Sequence, residues 1–383
     1  MKRLFAALSL LFVLAGTAFA DNWMAELDDY AYISQVSIPG THDSCTGEGW
    51  SGILGSIAGN STGLTQDLSI AQQLQAGIRA FDLRPCVNGS QLVINHGILQ
   101  TKAVFNETLR QLCQFVSDNP TEFVVIIMRH ESDGDSNNDN WASMMSESLA
   151  LPDLQPQLAD FRPDLTVGDM RGKVLVLSRD SYGETPVGGY ITGWSHDANY
   201  STNGRIQGSK DRGTLYVQDF YEVMENTADK TNAIKSLLDF TMRIHRISRY
   251  KNYFCINHTS GYTSSASSNG NRNNAAICNA TVIEYLDNAS HNGPTGIVMT
   301  DFAGTDRSGN YNVMGQTLIE KIIAQNSKYE PQKKANPNGI RDINAPTGKE
   351  KTFDLGGRPL EGDATTRGIV VKNGKKIINS NGQ

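Results

Sequence analysis

Two stretches, Phe123-Val-Val-Ile-Ile-Met-Arg129 and Val174-Leu-Val-Leu-Ser-Arg179, decide the fold. Each is a near-continuous aliphatic run without polar alternation, the pattern of a parallel strand covered on both faces, and each ends in an arginine. Six more β-rich apolar runs of this type lie between residues 33 and 304. They are Val36-Ser-Ile-Pro-Gly-Thr-His42, Ile78-Arg-Ala-Phe-Asp-Leu-Arg84, Leu92-Val-Ile-Asn-His96, Leu215-Tyr-Val-Gln-Asp219, Tyr253-Phe-Cys-Ile-Asn-His258 and Gly296-Ile-Val-Met-Thr-Asp301. Helical segments separate most of them. Ser69-Ile-Ala-Gln72 is a capping box that opens a helix stopping at Gly77. Leu109, Leu112, Cys113 and Val116 recur at helical spacing, as do Ile234, Leu237, Leu238 and Met242. Only the connection from the second run to the third is too short for a helix. Strand and helix alternating over about 270 residues predict an α/β fold, a distorted (β/α)8 TIM-type barrel. A doubly wound open sheet is the alternative.

The chain has 383 residues, 39% hydrophobic and 19% charged, a balance that can bury a core and excludes disorder. Its formal charge of −6 leaves nothing to neutralise a nucleic-acid backbone. Residues 1–20 read as a secretory signal: Lys2-Arg3, a short apolar run, then Ala18-Phe19-Ala20. Without it no transmembrane segment is expected, and the chain is expected to be secreted or displayed at the cell surface, with the periplasm open. Cys45, Cys86, Cys113, Cys255 and Cys278 would then face an oxidising compartment, where a Cys45–Cys86 bridge and plain apolar filling are both open readings. No spacing of a cysteine or histidine metal site occurs.

Active sites of such barrels lie at the carboxyl ends of the strands, and here those ends carry His42, Asp82, Arg84, His96, Arg129, Arg179, Asp219 and Asp301. A titratable group closing an apolar strand is costly unless it reaches a polar cleft. Two histidines flanked by carboxylates and arginines suit acid–base catalysis on a phosphate ester, one imidazole accepting a proton and the other donating one. Asp301, and whichever of Asp43 and Asp82 lies nearer His96, can orient the rings. A metal-assisted site is the competitor, but it calls for an acid-x-acid pair on the second strand. Asp82-Leu-Arg84 puts a guanidinium there instead, so neither metal nor other cofactor is expected.

Ser37-Ile-Pro-Gly-Thr-His-Asp-Ser44, Gly77-Ile-Arg-Ala-Phe-Asp-Leu-Arg84, Asn95-His-Gly97 and Tyr216-Val-Gln-Asp-Phe-Tyr221, in that order, resemble the bacterial phosphatidylinositol-specific phospholipase C family and its X domain over residues 25–325. The resemblance implies that His42 is the general base toward the inositol 2-hydroxyl, supported by Asp301. It implies that His96 is the general acid toward the diacylglycerol oxygen, and that Asp43, Asp82 and Arg84 surround the phosphate, Arg84 marking a metal-independent branch. Arg129, Arg179, Asp219 and Tyr221 match headgroup-binding positions, with Arg129 standing where the family carries lysine. Glycosylated phosphatidylinositol anchors are a further implied substrate. A metal-dependent glycerophosphodiester phosphodiesterase and a catalytically inactive lipid-binding barrel are the competing functions.

The remaining histidines carry plainer expectations. His130 should face away from the cleft, His258 is a candidate cleft residue, and His196, His245 and His291 read as loop or helix-surface residues. Trp50, Ile53, Leu54 and Ile57 share one face of a short helix after the first strand, suited either to contact a phosphatidylinositol-containing membrane or to pack on the barrel. A monomer is expected. The boundaries drawn are 1–20 for the signal, 21–328 for the barrel and 329–383 for a linker with a small β-rich tail. That tail, with Thr352-Phe-Asp-Leu-Gly-Gly-Arg358 and Gly368-Ile-Val-Val-Lys-Asn-Gly-Lys-Lys376, is similar to a type IX secretion sorting segment.

Overall fold

A computed structural model describes residues 22–136, 140–198, 204–222 and 227–335, plus four short strands between 352 and 379. The signal segment lies outside the described residues. Two compact units divide between Lys334 and Ala335. In the second unit the strands Thr352–Phe353, Pro359–Leu360, Gly368–Lys372 and Lys375–Asn379 form one antiparallel sheet, and the Asn373-Gly374 turn read from the sequence is outside the described residues.

The first unit is a closed barrel. In chain order its elements include strands β1 (Ile38–Thr41), β2 (Ala80–Leu83), β3 (Pro85–Asn88), β4 (Gln91–His96), β5 (Leu99–Val104), β6 (Val124–Met128), β7 (Val174–Ser178), β8 (Gly189–Thr192), β9 (Gly204–Gln207), β10 (Arg212–Gln218), β11 (Tyr253–His258) and β12 (Ile297–Thr300). Helices are α1 (Ile53–Ala58), α2 (Ile70–Gln75), α3 (Phe105–Asp118), α4 (Trp141–Leu149), α5 (Val167–Met170), α6 (Thr227–Ile244), α7 (Ser268–Asp287) and α8 (Gly315–Gln325). The barrel closes in the order β1, β2, β6, β7, β8, β9, β10, β11, β12 and back to β1. The TIM-type architecture stands and the open sheet does not.

Two details depart from the eight-run reading. The third run is not a barrel strand: β4 lies in a separate antiparallel sheet with β3 and β5, inserted between β2 and β6. In its place β8 and β9 enter the wall, and β9 runs antiparallel to both neighbours. The uniformly apolar runs fill the interior as expected of double-covered strands, β6 and β7 being buried at every position.

Helices follow their sequence signals. Ser69 accepts from the Gln72 amide while the Gln72 side chain accepts from the Ser69 amide, and Gly77 exits at φ +103. In α3 the buried residues include Leu109, Leu112, Cys113 and Val116. All five cysteines are buried free thiols, so the Cys45–Cys86 bridge is not formed, and burial pushes the Cys86 thiol up to about 12. They fill apolar space. Among the described residues no helix is long and apolar enough to cross a membrane.

Candidate active site

At the carboxyl ends of the parallel strands a cleft of about 380 Å³ is lined by His42, Asp43, Arg84, His96, Arg129, Glu131, Arg179, His196, Asp219, Tyr221 and Asp301, among others. His42 follows β1 and Asp301 follows β12. These strands are neighbours, and the His42 amide donates to the Thr300 carbonyl. Buried Gln66 clamps both ends, its amide donating to the His42 and Thr300 carbonyls at 2.8 Å each. Thus fixed, His42 Nδ1 lies 2.8 Å from Asp301 Oδ1, which selects the tautomer leaving Nε2 toward the cleft.

Asp43 sits between the two candidate catalytic rings. Its Oδ2 is 3.2 Å from His42 Nε2 and 3.6 Å from His96 Nε2, so both nitrogens flank that one carboxylate oxygen. Asp43 adopts a left-handed backbone (φ 44), held by its amide donating to Asp82 Oδ2 at 3.1 Å. A non-glycine residue in that region costs about 1–3 kcal/mol, strain that aims the carboxylate into the site.

Arg84 completes the polar centre. Its Nε is 2.8 Å from Asp43 Oδ1, its Nη2 is 2.9 Å from Asp82 Oδ2 and its Nη1 is 3.8 Å from Glu131 Oε2. Asp82 forms the floor, 3% exposed; burial works against its ionised form, but Arg84 and then His42 hold its carboxyl well below the ordinary range. His42, Asp43 and Asp82 each offer a ligand atom within 4.8 Å of the others, a spacing that could hold a cation. The guanidinium already pairs with both carboxylates from within that cluster and competes with a divalent ion for them.

Burial alone would lower the pKa of His42, but the Asp43 and Asp301 carboxylates outweigh it and raise it to about 9. A proton acceptor must be neutral, so kcat/KM is expected to rise about tenfold per pH unit toward that value. In Asp301→Asn the acid limb should move to lower pH while the maximal rate falls. A pH–rate profile with an unmoved limb counts against the His42–Asp301 coupling.

His96 does not come from a barrel strand. It ends β4 in the lateral sheet, and its Nδ1 lies 2.7 Å from the Gly63 carbonyl, which orients Nε2 into the cleft. That carbonyl belongs to a π-turn, Gly59–Gly63, continuing α1. Trp50 is 2% exposed beneath this turn, its ring so close that a Cβ on Gly59 would fall 2.1 Å from it. The membrane-contact expectation for Trp50 is therefore corrected: it starts before the helix, bridges to Thr101 and supports the turn that holds His96. Ile53, Leu54 and Ile57, by contrast, are 81%, 82% and 66% exposed, and Ile98 beside His96 is 78% exposed.

The headgroup-type positions gather at the other side of the cleft. Asp219 ends the β10 run and receives the Trp194 indole N–H at 2.9 Å, with His196 Nδ1 at 3.1 Å and His258 Nδ1 at 3.5 Å. Burial opposes its ionisation, yet His258 and His196 hold its carboxyl well below the usual value. Arg179 stacks over Trp194 at 4.2 Å, and burial brings it down to about 10. Tyr221 is 39% exposed at the rim, edge-on to His196. Arg129 also lines the cleft.

His196, His245 and His291 lie outside regular elements, in line with the loop reading, but none is a plain surface group. His196 lines the cleft rather than a plain surface. His245 is buried, and burial drives it down to about 4. His291 is partly buried, stacked on Tyr285 at 3.8 Å. His258 lies 2% exposed beneath the cleft, edge-on to His42 at 5.9 Å, and burial lowers it to about 3. His130 faces away, stacked on Trp141 and 2.5 Å from Asp135. Glu131 and Trp194 were not read from the sequence. Glu131 carried a signal, standing two residues beyond Arg129 and so on the same side of an extended chain.

Residues 38–180 match the family model "Phosphatidylinositol-specific phospholipase C, X domain". Residues 38–180 are an X domain of that family. Relatives include the 1-phosphatidylinositol phosphodiesterase of Staphylococcus aureus (strain Newman), 23% identical over 309 residues covering 78% of this chain and 93% of that one. The enzyme of the same name from Listeria monocytogenes is 30% identical over 163 residues, 42% of this chain and 49% of its own. Crystal structures of phosphatidylinositol-specific phospholipase C from S. aureus and L. monocytogenes superpose with TM-scores of 0.65 and 0.60 at 21% and 23% identity, each covering 80% of this chain and 98% of theirs. They share the barrel. The X domain thus spans β1 to just past β7 and contributes His42, Asp43, Asp82, Arg84, His96, Arg129 and Arg179, while Asp219, Tyr221 and Asp301 come from the later wall.

Proposed function

We propose that the chain is a phosphatidylinositol-specific phospholipase C that works without a metal, releasing 1,2-cyclic inositol phosphate and diacylglycerol. The observation that carries this reading is that His42 Nε2 and His96 Nε2 flank the same Asp43 oxygen in one cleft, beside an Arg84 that already neutralises Asp43 and Asp82. His42 takes the proton of the inositol 2-hydroxyl, whose oxygen bonds to phosphorus. His96 gives its proton to the diacylglycerol oxygen as that P–O bond breaks. No water enters the step, and the attacking oxygen is tethered to the same ring, which replaces a bimolecular encounter. Arg84 stabilises negative charge growing on the phosphoryl oxygens. Arg129, Arg179, Asp219 and Tyr221 hold the inositol ring, and glycosylated anchors are accepted only if their glycan clears the rim.

Incubating phosphatidylinositol vesicles with the protein in excess chelator, and following the water-soluble product by phosphorus NMR, tests the reading. Cyclic phosphate is the expected product. The cation-like spacing of His42, Asp43 and Asp82 favours a second reading, a metal-dependent phosphodiesterase; loss of activity in chelator with recovery in Ca²⁺ would select it.

The exposed face of Ile53, Leu54 and Ile57 suits contact with the bilayer next to His96. In Ile53→Ser/Leu54→Ser, vesicle binding measured by sedimentation should fall about tenfold or more, since each exposed side chain withdrawn from lipid loses about 1.5–3 kcal/mol. Turnover of a dispersed short-chain substrate should hold. Export follows from the signal-like residues 1–20, and the tail's likeness to a sorting segment extends it to the cell surface. We read the protein as a monomer.

A further inference from the structure

Lys230, in the first turns of α6, is fully buried on the outer side of the barrel wall. Its Nζ donates to a neutral partner, Gln218 Oε1, at 3.1 Å. An ammonium kept from water by an amide alone is costly unless charges nearby offset the burial. The carboxylates that act on it belong to Asp219 and Asp301, both on the cleft side. Burial brings Lys230 down to about 8, with Cys278, Asp219 and Asp301 opposing, so it is charged at neutral pH. Gln218 is buried too, and it ties two strand ends together. Its Oε1 also accepts the Phe220 amide at 2.8 Å, while its Nε2 donates to Asn257 Oδ1 and to the His258 carbonyl at 2.8 Å each. Asn257 in turn donates to the Ile234 carbonyl of α6 at 2.9 Å. Lys230 and Gln218 thus brace the residues that flank Asp219, together with His258, which stands edge-on to His42.

The cleft cations are committed elsewhere. Arg84 is engaged with Asp43 and Asp82, and Arg179 acts with Asp219. Asp301, nearly inaccessible, has His42 as its paired cation at 2.8 Å. Burial lifts the Asp301 carboxyl above the ordinary range, with His42 opposing. A proton acceptor is neutral before it acts, so His42 lends Asp301 no charge when the 2-hydroxyl proton is due. A buried carboxylate that loses its cation tends to take up a proton, and a protonated Asp301 no longer selects the Nδ1–H tautomer of His42. Lys230 acts on Asp301 whatever the state of that ring. We propose that Lys230 is a positioning residue of the reaction, bracing the ends of β10 and β11 through Gln218 and keeping Asp301 a carboxylate while His42 is neutral. The proposal rests on His42 as the base, which is part of the reading above.

Lys230→Met removes the charge and the hydrogen bond, whereas Lys230→Gln removes the charge and keeps a donor for Gln218. Rates on phosphatidylinositol vesicles in chelator are compared with those of the unaltered chain, and circular dichroism checks the fold. Both variants are expected to lose about tenfold or more in kcat with KM changed less than about threefold, since the lysine touches no substrate. In an Asp301→Asn background, where there is no carboxylate to keep ionised, the same substitutions should cost less than about threefold. A full loss that persists there overturns the proposal, and so does unaltered kcat in both single variants. Recovery of the rate in Lys230→Gln alone assigns the effect to the hydrogen bond and overturns the role of the charge. Loss of the native circular dichroism in both variants makes the lysine structural and overturns the proposal as well. Each of these failures leaves cleavage by the unaltered chain standing. An unaltered chain that does not cleave phosphatidylinositol takes down the reading beneath the proposal instead.

Discussion

His42→Ala and His96→Ala are each expected to lower kcat/KM by about 10²–10⁴, the usual range for removing a positioned acid or base. The two losses should not add. Proton removal from the 2-hydroxyl and proton delivery to the leaving oxygen serve one displacement, so once either is gone the other has little left to assist. The double variant should therefore sit close to the weaker single one, measured on phosphatidylinositol vesicles in chelator. Circular dichroism separates this from misfolding. His42 in particular lies between the buried carboxylates of Asp43 and Asp301, and losing its charge removes their shared partner. His96→Ala is the cleaner variant, because its ring is 28% exposed and rests on a main-chain carbonyl. Wild-type rates in either variant would end the acid–base assignment.

Arg84→Met should be damaging twice over. Removing a charge aimed at the phosphoryl oxygens is expected to cost about 10²–10³ in kcat. It also leaves Asp43 and Asp82, both nearly inaccessible, without their cation, a loss of about 3–5 kcal/mol in folding free energy. The stability deficit has a pH signature. In the native protein the Asp82 carboxyl is held below its unfolded value, so the stabilisation it brings is present above about pH 4 and fades as pH falls. The variant lacks that stabilisation, so the gap between the urea midpoints should be widest at neutral pH and shrink in acid. A gap independent of pH would show that Arg84 acts through packing alone.

Much of this site is written into strand ends. Each apolar run announces a strand, and the polar residue closing it is the one that reaches the cleft, which is how His42, Arg84, Arg129, Arg179, Asp219 and Asp301 could be read together. What escaped was set by partners that a single run does not reveal. Leu92–His96 looks like a wall strand because its interior positions are buried, yet they are buried against α3 and α4 outside the barrel. Asn88-Gly89 between two apolar stretches was the available hairpin signal, and Gly89 does take φ +61 there. The strands β8 and β9 have four residues each and alternate buried with less buried positions, too short and too mixed to register as wall. Trp194 and His196 follow β8, so a wall strand that the sequence does not announce is what carries both to Asp219. Trp50 was misassigned because its spacing to Ile53, Leu54 and Ile57 is helical, whereas the helix begins only at Ile53.

The proposed proton donor and the proposed proton acceptor ride on different pieces of architecture. His42 is welded into the wall of the barrel through β1, β12 and Gln66, whereas His96 hangs from a three-strand appendage whose pairing already slips between Val93 and Asn95. Adding or deleting one residue in that appendage would invert which side of the ribbon His96 occupies, silencing one half of the chemistry while the wall stays whole. A lineage that abandoned catalysis but kept a lipid-shaped socket would have its cheapest route there.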